Sequence, residues 1–499
     1  MDLRRTECIR DMRHATDYRS WFQAAAELDR LEGGEDWKSS DDSELYDWRL
    51  IRSRLRQIRQ FRAEGAMQKL IHHLRQGLHW NLGNIGNPVL YTRTHVGTKH
   101  LIRDYIDEVA DALNYLCDTR IDGFDPIAKV QFFRDTTHSF GRSALMLSGG
   151  ATLGLFHVGV VKALYREGML PDVVSGSSAG AVVAATVGTR RPDEVEELLD
   201  ARNAYYHFWR PLRLRQMLQR RAIMDQVQLR RAISRNIRDM TFDEAHKLSG
   251  RILNITVSPA GRNQPPRLLN YLTFPYLFLR EAVLASSAVP VLFQPVMLMT
   301  RDEAGHRVPY APTLRWVDGS LKSDLPMMRM RRLHNVNHFI VSQTNPHVLP
   351  FLSRSSPEEA GVMAAVRGYA YSVVRSHARE ALHLSRLYVP GGIRPTVDTA
   401  TSILEQDYSG HVTIMPDVSL WRYMRVTANP DLDSVERFIL EGERATWPRM
   451  AMIRNQTLVG QTLARCVRRS ELQLQGVDDL PRETQGRRPG LRVIRNKDL

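Results

Sequence analysis

Cysteine is scarce: Cys8, Cys117 and Cys466 are the only three in 499 residues, and no two form a C-x-x-C pair. A disulfide-stapled scaffold, a zinc cluster and a thioredoxin-type motif are therefore not expected, and an odd set of scattered thiols fits a reducing compartment. Long apolar runs are missing as well. The longest, Ala179 to Val187, is about half the ~18–20 residues that a transmembrane helix needs. The opening Met-Asp-Leu-Arg-Arg-Thr-Glu-Cys has no apolar stretch behind its charges, so no secretory signal is expected. Acid is in deficit: 55 Asp and Glu against 69 Lys and Arg leave a formal net charge of +14. Such a surface draws acidic lipid headgroups, acidic small molecules or nucleic acid, but no nucleic-acid-binding motif accompanies the charge. The rest is ordinary globular composition, 43% hydrophobic and 25% charged, in a chain long enough for about two to four domains.

The first ~135 residues read as all-helical, since apolar residues recur at helical spacing without strand signals. Trp21, Ala24, Ala25, Leu28 and Leu31 form one stripe within residues 15–31, and Gly33-Gly34 is a stop. Residues 36–46 are polar and read as a loop, and residues 47–78 as one or two Arg-rich helices. Asn81 to Pro88 is dense in turn formers, and Thr98 to Cys117 is helical again. The texture changes near residue 143. Ala144–Leu147 is a short apolar run entering Ser-Gly-Gly, followed by a helix from Leu153 to Glu167. Asp172–Val174 then enters Ser-Gly-Ser-Ser-Ala-Gly, and a second apolar helix begins at Ala179. This alternation predicts an α/β core with a largely parallel sheet, with further strands at Arg251–Val257 and His338–Ser342. The expected organisation is a helical domain at 1–138, the α/β core at 139–345, a mostly helical extension packed on the core at 346–470, and a mobile polar tail at 471–499.

Gly176-Ser177-Ser178-Ala179-Gly180 fits G-x-S-x-G. That pattern marks a sharp strand-to-helix turn in which small residues let the central hydroxyl stand out. Ser178 is the central position and the nucleophile candidate, Ser177 fills the variable slot, and Gly176 and Gly180 shape the elbow. The bland alternative is a small-residue helix cap. The strand before and the helix after favour the functional reading. A nucleophilic Ser needs backbone N–H groups aimed at a developing oxyanion, and Gly149, Gly150 and Ala151 stand just past the first strand. A phosphate loop is the competing reading there, but neither G-x-x-x-x-G-K-[ST] nor G-x-G-x-x-G is met. Asp318, in Trp-Val-Asp-Gly-Ser, is the candidate base; its plain alternative is a turn Asp before Gly. A Ser–His–Asp triad has no anchoring position among the seventeen histidines, and His157 reads as a packed or hydrogen-bonded helix residue.

Leu147-Ser-Gly-Gly-Ala-Thr-Leu-Gly-Leu-Phe-His-Val-Gly-Val160, Gly176-Ser-Ser-Ala-Gly180 and Asp318-Gly319 together resemble the patatin-like phospholipase family. Within it the chain is similar to the branch of fungal and plant storage triacylglycerol lipases. Leu74 to Val109, including Asn81–Pro88 and His95-Val-Gly-Thr-Lys99, resembles that branch's helical N-terminal domain. Ala285–Pro290, Asn335–Pro346 and Gly442–Pro448 carry the likeness further, over roughly residues 15–470. The resemblance implies a three-layer α/β/α patatin-like core and a Ser–Asp dyad without His, Ser178 as nucleophile and Asp318 as base. The amides of Gly149, Gly150 and Ala151 would form the oxyanion site. Three departures stand out: Ala151 where many bacterial members have a third Gly, Leu153 where they have Arg, and Ser320 where Gly or Ala often follows Asp-Gly. The acyltransferase pattern H-x-x-x-x-D is absent, since no His has Asp five residues on.

The expected activity is serine lipid-ester hydrolysis through an acyl-enzyme, with no cofactor and no metal. The alternatives are a phospholipase A or lysophospholipase, and a catalytically silent lipid-surface scaffold. The substrate would be an acylglycerol or phospholipid met at a membrane or lipid-droplet surface by a cytoplasmic, peripherally bound protein, with no nucleic-acid partner. Residues 201–240 hold ten Arg against Asp225 and Asp239 and begin with Tyr205, Tyr206, His207, Phe208 and Trp209. Aromatics beside a basic stretch suit anionic lipid; the alternative is a solvated helix whose arginines pair with the acidic N-terminal domain. Tyr271 to Leu279 reads as acyl-pocket lining or as core, with core preferred.

Overall fold

The computed structural model describes residues 2–261, 264–346, 348, 409–417 and 426–475. Seven helices precede the first strand: α1 (Asp2–His14), α2 (Tyr18–Leu31), α3 (Gly34–Ser39), α4 (Trp48–Ala63), α5 (Met67–Gly77), α6 (His100–Asp118) and α7 (Pro126–Phe140). Their starts follow from capping. The carboxylates of Asp17, Asp47 and Asp125 accept first-turn N–H groups of Ser20, Leu50 and Ala128 at 2.8–3.0 Å, and Pro126 sits at the first helical position, where its missing N–H costs nothing. Two elements differ from the sequence reading. α1 is polar nearly all round, so no apolar stripe announced it. The Gly33-Gly34 pair does follow the end of α2 at Leu31, but Gly33 adopts φ 75° and α3 starts at once, running into the stretch read as loop.

Two loops of this helical region are locked by buried polar groups. Asp29 on α2 is buried, accepts the N–H groups of His95 and Val96 at 2.7 and 3.0 Å, and pairs with Lys38 at 2.9 Å. Lys99 is buried beside it and donates to the carbonyls of Trp37 and Ser40. This explains why His95-Val-Gly-Thr-Lys99 is ordered: removing Asp29 would leave the His95 and Val96 N–H groups without their acceptor, and removing Lys38 would leave a buried carboxylate without its cation. The turn-rich Asn81–Pro88 segment folds on itself through Gly86 N–H to Asn81 Oδ1 (2.7 Å), and Gln456 donates to Gly86 O.

The second half builds one seven-stranded sheet. In chain order its elements are β1 (Arg142–Leu147), α8 (Leu155–Arg166), β2 (Val173–Gly176), α9 (Ala179–Gly188), α10 (Val195–Leu198), α11 (Leu214–Arg220), α12 (Gln226–Asn236), α13 (Phe242–Ser249), β3 (Ile252–Pro259), β4 (Arg267–Leu269) and α14 (Leu279–Ser286). A small hairpin of β5 (Met299–Arg301) and β6 (Arg307–Pro309) follows, then β7 (Trp316–Asp318), α15 (Ser320–Ser323), α16 (Met327–His334), β8 (Val336–Ser342) and β9 (Val412–Ile414). The order is β4-β3-β2-β1-β8-β9, with β7 antiparallel on β3. The β3–β2–β1–β8–β9 stretch is parallel. Alternate strand residues enter opposite cores. Leu145, Leu147, Val174, Leu253, Ile255 and Ile340 join one; Ala144, Met146, Val173, Ile252, Phe339 and Val341 join the other, against Met330 of α16. Both faces are thus covered, which is why these strands read as continuous apolar runs.

Two further helices close the described chain, α17 (Leu432–Thr446) and α18 (Met450–Leu474). α17 lies on α8, with Lys162 paired to Glu443 at 3.1 Å. α18 lies along α6 and α7, with Arg454–Asp107 and Arg134–Glu471 pairs at 2.6 Å. The chain's end therefore grips the helical region at its start. α18 runs to Leu474, past the expected tail boundary; the tail from 476 on, and most of the segment 347–425, lie outside the described residues.

Candidate active site

The sheet reverses its strand order about β1, since β2 lies on one side of it and β8 on the other. Ligands bind at such switch points, beyond the carboxyl ends of the strands. The register brings those ends level: Leu147 pairs with both Gly176 and Ser342. The Ser148–Ala151 turn, the Gly176–Gly180 elbow and the Ser342–Asn345 segment therefore meet at one edge. Asp318 arrives beside them because β7 pairs with β3 at Val257.

At the elbow the two neighbouring serines part. Ser177 is fully buried and its hydroxyl accepts from Thr256 Oγ1 at 2.8 Å. Ser178 caps α9 with φ 51° and ψ −119° and lines the cavity. A positive φ in a residue with a side chain is strained, and such strain gathers at functional sites. It is held by close approach: a Cβ on Gly176 would run into the carbonyl of Gly180, and one on Gly180 into that of Leu147. The Ser178 N–H donates to Ser286 Oγ at 3.0 Å, which fixes the elbow from α14.

Asp318 is buried, and its Oδ1 accepts the Ser320 N–H at 2.8 Å. Its Oδ2 has no hydrogen bond among the described residues. Burial pushes this carboxyl up to about 6, while the Ser320 N–H and then the Ser178 and Ser320 hydroxyls pull it back. Asp318 and Ser178 line the same cavity.

The three candidate oxyanion amides do not behave alike. All three residues line the cavity, but the Gly149 N–H donates to Asp324 Oδ1 at 2.8 Å and is not available to a ligand. That part of the expectation is corrected, because a buried carboxylate binds an amide N–H in preference to leaving its own oxygen bare. The N–H groups of Gly150 and Ala151 enter no hydrogen bond among the described residues. Ala151 has φ 50°, which explains why Gly is common at this place.

Asp324 was missed from sequence. It is buried, six residues after Asp318, and Asn345 Nδ2 donates to its Oδ2 at 3.2 Å. Burial raises its carboxyl to about 7, with repulsion from Asp318 adding to the rise. The only hint in the chain was an acid within a Ser-Asp-Leu-Pro turn, indistinguishable from a surface Asp. His157 is fully buried, with ring contacts to Ser342 Oγ (2.7 Å), Ser148 O (3.0 Å) and Thr344 Oγ1 (3.0 Å). Burial lowers it to about 4, so it is a neutral brace behind the glycine turn.

The cavity holds about 290 Å³. Its walls are apolar: Val182, Val187, Leu199, Tyr206, Phe208, Trp209 and Phe293 among others. Asp318 is the sole charged side chain among the described residues that line it. The aromatic run Tyr205–Trp209, assigned from sequence to a lipid surface, thus mostly lines this cavity instead. Trp209 is set by Nε1–H to Thr152 Oγ1 at 3.0 Å and by the Phe293 ring at 5.9 Å. Tyr271–Leu279 is not part of the lining; Leu277, Phe278 and Leu279 are buried in the core.

The basic stretch has a divided fate. Arg230 pairs with Glu281 at 2.8 Å, Arg238 with Glu194 at 2.9 Å, and Arg210 with Asp225, so its partners are acids of the α/β core rather than of the helical domain. Arg213, Arg215 and Arg221, around α11, make no ion pair among the described residues. Beside them Leu214 and Leu218, one helical turn apart, are 75% and 74% exposed. Val291 is 69% exposed at φ 72° and ties α11's loop to the cavity wall, accepting the Ile223 N–H at 3.1 Å next to Leu292 and Phe293. Among the described residues no helix is long and apolar enough to cross a membrane, and no cluster of His, Cys, Asp or Glu could hold a metal ion.

Residues 145–330 match the family model described as patatin-like phospholipase, and residues 1–138 match a domain of unknown function, DUF3336. The chain is 35% identical to the triacylglycerol lipase SDP1L of Arabidopsis thaliana, over 91% of this chain and 58% of that one. It is 35% identical to triacylglycerol lipase 4 of Saccharomyces cerevisiae, over 89% and 51% respectively. With triacylglycerol lipase ptl3 of Schizosaccharomyces pombe it shares 33% identity over 94% and 99%. The chain thus spans little more than half the length of the first two relatives and nearly all of the third.

Proposed function

The chain belongs to the patatin-like phospholipase family, and from that premise we propose that it is a carboxylic ester hydrolase acting on acylglycerols through Ser178 and Asp318. One observation carries the reading. A strained serine and a buried carboxylate with a free oxygen line one apolar cavity at the switch point of the sheet. Asp318 Oδ2 takes the Ser178 proton as Oγ attacks the ester carbonyl. The oxyanion is met by the Gly150 and Ala151 N–H groups, beside Ser178 at the N-terminus of α9, where negative charge is favoured. Collapse of the tetrahedral adduct expels the glyceride alkoxide, which receives the proton from Asp318. Water then repeats the sequence on the acyl-enzyme and frees a fatty acid.

Among lipid esters, a neutral acylglycerol fits better than a phospholipid. A phosphate headgroup next to the scissile ester would meet Asp318 and no cation among the described residues of the lining. The relatives named triacylglycerol lipases support the same choice. Peripheral docking on a lipid surface is part of the proposal: Leu214, Leu218 and Val291 form an exposed apolar rim by the cavity, flanked by Arg213, Arg215 and Arg221. Apolar side chains ringed by guanidinium groups suit an anionic lipid surface. Three free, buried thiols fit its cytoplasmic side.

The test is a panel of triacylglycerol, diacylglycerol, phospholipid and lysophospholipid, run with wild type and Ser178→Ala. Fatty acid release is expected mainly from the neutral glycerides and lost in the variant. Preferred hydrolysis of phospholipid would select the phospholipase reading. A wild type that resists labelling by a fluorophosphonate at Ser178 would select the silent scaffold.

A further inference from the structure

A second cavity, of about 390 Å³, lies in the helical region between α4 and α5. Helical spacing builds it: Gln68, His72 and Gln76 share one row of α5, Lys69 and His73 the next, facing Arg54 and Phe61 of α4. No carboxylate is among these lining residues. Of the acids nearby in the helical region, Glu108 pairs with Arg59 and Asp135 with Arg75, while Asp122, whose carbonyl accepts from Gln68, and Glu64, which accepts from Gln60, make no ion pair among the described residues. Lys69 and His72 are exposed at the mouth and make no ion pair among the described residues.

The deep end is preset. Arg54 donates from Nη2 to the His73 carbonyl at 2.8 Å, and its guanidinium lies over Gly77, where any Cβ would collide with it. Phe61 meets the His73 ring edge-on at 5.7 Å. With the guanidinium and the ring so fixed, two buried nitrogens are left without a hydrogen bond: Arg54 Nε, a donor, and His73 Nε2, which in the neutral ring donates in one tautomer and accepts in the other. Buried polar groups in folded proteins are normally satisfied, so such a pair calls for a partner.

We propose that this cleft binds a phosphate-bearing ligand, held by Arg54 and Lys69 with His72 and His73 completing the ring of donors. Guanidinium and ammonium groups are the usual phosphate partners. The volume exceeds what one phosphate ion fills, which points to a phosphomonoester of a small alcohol or to the same group on a lipid headgroup. The site is separate from the hydrolase cavity, and its existence does not depend on the proposed activity.

The test uses the full chain in calorimetric titration at constant ionic strength, with chloride as the balancing ion. The probes are inorganic phosphate, glycerol 3-phosphate, and vesicles of phosphatidylcholine with and without phosphatidic acid. Saturable binding of at least one phosphate probe is expected. Lys69→Glu and His72→Ala, both at exposed positions, should each weaken it, the first by roughly tenfold. Binding of the two soluble probes would identify a free phosphate compound; binding of phosphatidic acid vesicles alone, lost in Lys69→Glu, would identify a headgroup. No binding of any probe, or equal binding by wild type and both variants, overturns the proposal.

Discussion

Replacing Asp324 by Asn should make the protein more stable at alkaline pH, with a clearly smaller gain in mild acid. The reason is the cost of holding an ionised carboxylate in a buried place. Burial and the nearby Asp318 raise Asp324 from an ordinary 3.8 to about 7. The folded state therefore holds this proton more tightly than the unfolded chain. Stability from this group is greatest below pH 4, falls as pH rises from about 4 to about 7, and is level above that. Each unit is worth about 1.4 kcal/mol, so the raised value corresponds to about 4 kcal/mol lost by pH 8. Asparagine keeps an acceptor for the Gly149 N–H that Asp324 now receives at 2.8 Å. Its amide nitrogen would face the Asn345 Nδ2 that now donates at 3.2 Å, unless Asn345 turns its oxygen inward. That turn takes back part of the gain.

Denaturant unfolding of Asp324→Asn and wild type at pH 5 and pH 8 measures this directly. Wild type has already lost about 1–2 kcal/mol of this contribution at pH 5 and about 4 kcal/mol at pH 8, so the variant's stability relative to wild type should rise by about 2–3 kcal/mol between the two. Activity supplies an independent readout. Asp324 holds its proton at the pH where Asp318, whose carboxyl stands at about 6, titrates. Asparagine removes little charge there, so the acidic limb of kcat/KM, expected near pH 6, should stay in place. A stability difference that is the same at both pH values, or an acidic limb that moves down by about a full unit, would refute the assignment of Asp324 as a buried group that stays protonated beside the site.

Ser178→Ala should lower kcat by about 10⁶-fold, as loss of the nucleophile does in other serine hydrolases, and abolish fluorophosphonate labelling; mass spectrometry of the labelled peptide checks it. Ala151→Gly should stabilise the protein by about 1 kcal/mol, since Ala151 sits at φ 50° and an L side chain there costs roughly 1–2 kcal/mol; a lowered unfolding midpoint would count against that strain. The double change Leu214→Glu/Leu218→Glu should cut flotation with anionic vesicles while hydrolysis of a short soluble ester continues at the wild-type rate. Equal flotation would remove α11 from the docking surface.

Much of the site could be read from residue types because the demands there are local. A strand-to-helix elbow needs small residues within five positions, and Gly176 to Gly180 states that demand in one line of sequence. The sheet was legible for a similar reason: strands covered on both faces must be apolar throughout, as at Ala144–Leu147. The helix periods of α2 and α6 were equally plain. What escaped was set by partners far along the chain. α1 has no stripe. Asp324 looks like any polar turn residue until the fold buries it against Gly149, 175 residues away. The aromatic run Tyr205–Trp209 was assigned to a surface because aromatics beside arginines serve both purposes, and only the fold turns their rings into the cavity.

The same contrast explains why the glycine turn alone could not define the oxyanion site. Three successive amides follow β1, and composition gives no ground for preferring one. The choice is made by Asp324, which withdraws the first of them into the protein. Asp318 lines the cavity with no cation among the described lining residues, and Asp324 is buried behind the glycine turn. Each disfavours ionisation of the other. Asp324 spends its oxygens on fixed donors, Gly149 and Asn345, whereas Asp318 keeps Oδ2 uncommitted. A proton shared between such a pair should settle on Asp324, whose carboxyl lies higher. That arrangement leaves Asp318 ionised near neutral pH, beside a serine hydroxyl, in a cavity that otherwise admits only neutral, apolar groups.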